Sequence, residues 1–229
     1  MNKKKISVLL FAILTAGYVQ AQFTIGAQAG LNLTNVSMKY DGGKDDALNP
    51  KYKCGFRIGV VGEYDISKNF SIQSGILYAI QGYKLGPSEI STDDIFDIQG
   101  WEQLVTVNIS YLQIPVNAQY LIDFGGSVLL FQAGPYFGYA FGGKTKLECF
   151  QNGNEVASIK EKTYLAFGNK EDQLSPFDFG LGMGIGLQLD AVQIGLKYNL
   201  GLANLYNIEK TTMNNRGFAI VVTYFFNKK

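Results

Sequence analysis

The chain has 229 residues, 47% hydrophobic and 14% aromatic, with 27 Gly and only 5 Pro, which fits one ordered domain of the larger all-β kind better than two small ones. Its formal charge is +1, and setting aside Lys3, Lys4 and Lys5 leaves about 17 basic against 19 acidic residues, so no basic patch points to a nucleic-acid partner. It contains no His, which removes the commonest general base.

Residues 1–21 read as a secretory signal: a basic start, the apolar stretch "ISVLLFAILTAGYV", and a small-residue site that places cleavage between Ala21 and Gln22. The expected mature domain is 22–229, and no Cys follows the cut to take a lipid anchor. No second apolar run reaches membrane-helix length, so a membrane location requires a barrel.

From residue 22 onward the hydrophobicity alternates with a period of two in eight segments, roughly 22–35, 54–64, 70–83, 104–121, 128–142, 177–190, 192–202 and 216–226. The fourth changes phase near Tyr111-Leu112, as a β-bulge would cause. Connections alternate in length: 65–69, 122–127 and 190–191 are tight, whereas 36–53, 84–103, 143–176 and 203–215 are long. The expected fold is therefore all-β, an eight-stranded antiparallel up-and-down transmembrane barrel with short periplasmic turns and long outer loops.

Alternation alone does not say which face is inside, and a lipocalin-like barrel with an apolar interior is the rival. "FDFGLGMGIGLQLD" (177–190) separates them, because it sets Gly180, Gly182, Gly184 and Gly186 against an apolar face. Glycines facing a narrow lumen make room for larger neighbours such as Tyr111, Gln113, Asn117 and Tyr136; facing water they would form a poor strand surface. The membrane facing puts Arg57, Glu63, Asp178, Asp190 and Lys197 in the lumen beside Gln113 and Asn117. Opposite charges there are expected to pair and plug the barrel, the alternative being a narrow ion path.

Strand four, "YLQIPVNAQY" (111–120), with "AGPYFGYAFGG" (133–143) and "FDFGLGMGIGLQL" (177–189), resembles the PorT-like outer-membrane β-barrel family of Bacteroidetes. Gln113 stands where that family usually has Glu, which removes a lumen charge. The resemblance implies an outer-membrane location and, through the family's named member, a link to type IX protein secretion. Barrel enzymes of similar size rely on an active-site His; with none here, and with Asp45-Asp46 and Asp93-Asp94 adjacent in sequence and so pointing apart, no catalytic site is expected.

The second outer loop is rich in carboxylates (Glu89, Asp93, Asp94, Asp97, Glu102) but lacks a calcium-loop register, so neither a metal nor a cofactor is expected. Asn152-Gly153 reads as the tip of a hairpin rising from the third loop. Cys54 and Cys149 both fall near outer strand ends, where a disulfide between the first and third loops is considered. Tyr64, Tyr78, Tyr120 and Tyr198 are candidate interfacial anchors. The expected partners are outer-membrane lipid, the barrel-assembly machinery reading the terminal aromatic Phe226, and a surface or secretion-system protein.

Overall fold

The computed structural model describes residues 22–40, 50–89, 101–151, 154–168, 170, 173–206 and 211–228. The signal segment with Ala21, the acidic residues Asp45, Asp46, Asp93, Asp94 and Asp97, and the Asn152-Gly153 tip lie outside these.

Among the described residues the chain forms β1 (Phe23–Tyr40), β2 (Lys51–Ser67), β3 (Phe70–Glu89), β4 (Trp101–Phe124), β5 (Ser127–Gln151), β6 (Asn154–Tyr164), β7 (Phe177–Leu189), β8 (Val192–Gly201) and β9 (Thr211–Phe225). All pairings between these strands are antiparallel. Eight of them close a ring, in which consecutive members pair as β1-β2-β3-β4-β5-β7-β8-β9 and β9 returns to β1 from Gly26↔Phe225 to Tyr40↔Thr211. Closure leaves the ring without an edge, the condition a sheet must meet in lipid. The ninth strand, β6, stands outside the ring: it pairs with the far end of β5, from Lys144↔Tyr164 to Gln151↔Asn154, above the part of β5 that pairs with β7, and forms the hairpin expected in the third loop.

The three tight turns fall where the sequence places them. Gly125 and Gly126 join β4 to β5 with φ of 60° and 93°, a left-handed backbone that glycine adopts without cost. Asp190, at φ 49°, makes the two-residue turn between β7 and β8. It is therefore exposed in a turn and does not belong to the lumen, contrary to expectation.

The bulge expected in β4 is not there, and the strand keeps one inward facing across Tyr111. Val107, Ile109, Tyr111, Gln113, Asn117, Gln119 and Leu121 are all buried in one unbroken inward series. The bulge lies opposite, on β5: Ser110 faces Gly142 and Tyr111 faces Ala140, so Phe141 is the extra residue. Inward positions on β5 accordingly switch from Tyr136 and Ala140 to Cys149. What inverts along β4 is the chemistry of the inside, from Gln113 and Asn117 to Val107 and Ile109.

The turn-side part of the wall carries an apolar outer face, including Ile58, Val60, Ile76, Leu181, Ile185, Leu196 and Ile220. Aromatic rings border it on both sides. Near the turns, Phe70 meets Tyr120 edge-on at 5.3 Å and Tyr64 donates to Gln22 Oε1 at 2.8 Å. Toward the loops, Tyr78 contacts Phe56 and Phe141, Tyr198 contacts Phe218 at 4.8 Å, and Tyr139 meets Phe177 at 5.2 Å. Along β2, the step from Phe56 to Tyr64 covers roughly 26 Å of strand, about 20 Å along the membrane normal at a usual tilt. Amphipathic rings at both borders sit where hydrocarbon gives way to headgroups.

Candidate functional site: the lumen

The interior is filled in layers, and the lowest is a cork made by the chain end. Past β9, Asn227 donates from its side chain to Phe23 O and accepts from Ile25 N, which ties the tail to the start of β1. This brings Lys228 under the barrel, where its Nζ pairs with Glu63, donates to Gln188 Oε1 at 3.1 Å and lies 5.0 Å from the centre of the Phe225 ring. Glu63 is fully buried, and its second oxygen accepts from Gln73, whose amide also reaches Gln193 Oε1 at 3.2 Å. Gln28 bonded to Thr223 and Ser71 bonded to Gln119 complete the floor. The partner of Glu63 is thus Lys228, a residue that sequence reasoning did not single out; the signal was the "NKK" that follows Phe226.

Above this floor, Val61, Leu77 and Phe225 form a small apolar layer. On it rests the middle layer. Arg57 donates from Nε to Asn32 Oδ1 at 2.6 Å, and Asn32 is held by the carbonyls of Phe56 and Ile80. Arg57, Lys197, Gln113, Asn117, Gln132 and Tyr136 surround a cavity of about 20 Å³. A second space of about 10 Å³ lies toward Thr34, Gln81 and Asn215. Each has room for about one water.

Asp178 sits one layer higher, where its Oδ2 accepts from Tyr136 Oη at 3.3 Å and from Asn215 Nδ2 at 2.9 Å; Asn215 also donates to Tyr111 Oη at 3.2 Å. The Tyr136 ring fits because its paired neighbour on β7, Gly180, is bare. A Cβ on Gly180 would stand 2.8 Å from Tyr136 Cε1 and 2.2 Å from the Leu200 carbonyl oxygen. Gly184 similarly leaves space for the stems of Lys197 and Gln132. The glycine stripe is the imprint of the residues facing it.

The uppermost layer is apolar. Val36, Tyr83, Val107, Ile109, Tyr111, Ala140 and Met213 converge from the wall, and Leu174 and Leu205 join them from the connecting segments. Those segments turn inward over the mouth: Leu174 N bonds to Ala166 O, Ser175 N to Leu205 O, and Leu205 N to Met213 O, each within 3.0 Å.

The structure thus brings Arg57, Gln113, Asn117 and Lys197 to one cavity and keeps Glu63 and Asp178 away from it. The expected pairing among the four lumen charges is not formed. Glu63 pairs with Lys228, Asp178 is held by neutral donors, and neither Arg57 nor Lys197 makes an ion pair among the described residues. The disulfide is not formed either: both thiols are free, Cys54 exposed and Cys149 buried, on β2 and β5 with β3 and β4 between them.

A closed antiparallel ring with an apolar belt, aromatic borders and a packed polar interior defines a transmembrane β-barrel. The chain belongs to the outer membrane protein beta-barrel domain family, whose profile matches residues 19–207. Similar solved structures include Ail, the attachment invasion locus protein of Yersinia pestis, in complex with the heparin analogue sucrose octasulfate (15% identity, covering 90% of this chain and 99% of that one, TM-score 0.39). They also include Neisserial surface protein A (12%, 88% and 96%, 0.39) and AlkL in DMPC lipid bilayers (14%, 88% and 90%, 0.32). No curated protein sequence matches the chain significantly.

Proposed function

We propose that the protein is a non-enzymatic, non-conducting interaction barrel whose outer sheet, built on β4, β5 and β6, receives a surface or secretion-apparatus protein. The observation that carries this reading is length. β4 and β5 have 24 and 25 residues, whereas crossing the hydrocarbon takes about 9–11. The excess is a sheet held clear of the membrane, with β6 added to it, and a lumen corked at both ends gives a small solute no continuous path beneath it. On this reading residues 1–21 are removed after export, Phe226 serves recognition by the assembly machinery, and the PorT-like sequence features make a component of type IX secretion the partner class to try first.

Two measurements test the proposal. Purified protein reconstituted in planar bilayers should give no stable single-channel openings; reproducible openings that Lys197→Met abolishes would establish a channel instead. Cross-linking in the native outer membrane should capture a partner through Lys146 or Lys162 on the outer sheet. If deleting 144–164 leaves barrel folding, capture of that partner and secretion all unchanged, the outer sheet is not the interaction surface.

A further inference from the structure

We infer that the middle layer of the lumen holds a small inorganic anion, chloride in practice, between Arg57 and Lys197. Both side chains belong to residues more than nine-tenths buried, at 5% and 7% exposure, and both line the same cavity of about 20 Å³. Two cations in one enclosed space repel each other, and a buried charge requires a partner. Neither carboxylate of the lumen pairs with them. Glu63 lies beyond the Val61, Leu77 and Phe225 layer on Lys228, and Asp178, one layer higher, accepts from Tyr136 and Asn215 at Oδ2 while its Oδ1 has no hydrogen-bond partner.

A second, independent feature points the same way. Gln113 is 2% exposed, lines this cavity and has an amide nitrogen, Nε2, with no hydrogen-bond acceptor. An anion placed here meets two cations and that unused N–H, satisfying all three. Gln132 lines the same cavity, and its Oε1 also has no hydrogen-bond partner. Size sets the identity: a space of this volume takes one small occupant, which suits a halide and excludes sulfate or phosphate.

The test is thermal unfolding of the folded barrel in zwitterionic detergent, read as loss of the fast-migrating unboiled band, at constant ionic strength with chloride exchanged for gluconate. Chloride at a hundredfold excess over its Kd should raise the folding equilibrium constant about a hundredfold. Gln113→Glu keeps the side-chain shape and supplies a fixed counter-ion, so it should fold in gluconate and lose the chloride dependence. Lys146→Met, on the outer sheet, should retain it. Crystals soaked in bromide should show an anomalous peak beside Lys197 Nζ. A wild-type transition indifferent to chloride, with no bromide peak in the lumen, would overturn the inference and leave water as the occupant. A channel found in planar bilayers would refute the proposed function without touching this result, since a site can bind an anion whether or not it passes one.

Discussion

The embedded and outer parts of this barrel use the same alternation with opposite chemistry. In the embedded part, Ile58, Val60, Ile185 and Leu196 face outward while Arg57, Gln113, Gln132 and Lys197 face in. In the outer part Val36, Val107, Ile109 and Met213 face in, while Ser37, Thr106, Asn108 and Thr212 face out. A strand crossing the headgroups passes from one solvent to another, so the apolar face must change sides even though the pleat does not. A reversal of hydrophobic phase in such a barrel therefore marks the membrane border as readily as it marks a bulge.

The embedded interior is the less tolerant of the two. Gly184→Arg would drive a long side chain against the Leu196 carbonyl, Lys197 and Gln132, and is expected to yield no heat-modifiable band. In the outer half the equivalent insult is a void. Ile109→Ala should lower stability by about 2–5 kcal/mol, measured by urea unfolding in vesicles, because the residue is 2% exposed in the apolar cap.

On the lipid side, Ile185→Arg should cost about 2–4 kcal/mol near the midplane, whereas Asn108→Arg on the outer sheet should stay within about 0.5 kcal/mol. Equal effects at these two positions would mean the border is drawn at the wrong height. The cork gives a smaller effect than the lipid face. Lys228→Met leaves Glu63 with only the Gln73 amide, and since Lys228 is one-fifth exposed the loss should be about 2 kcal/mol, read from the same urea curves.

The closed barrel, its three tight turns and the inward facing of Arg57, Gln113, Asn117 and Lys197 are legible in the sequence. Those properties follow from alternation and turn chemistry, which are local and are written residue by residue in "FDFGLGMGIGLQL" and its counterparts. The glycine stripe even named one occupant of the space it leaves, Tyr136. Which charges meet depends on how the ring closes. Glu63 and Lys228 are brought together across the barrel floor by closure of β9 on β1, and Arg57 and Lys197 face one cavity because β2 and β8 lie on opposite sides of the ring's β1–β9 seam. The outer lengths of β1, β3, β4 and β9 were hidden for the same reason. Beyond the lipid their apolar face turns inward, toward Leu174 and Leu205 on segments that become neighbours only once the barrel has closed.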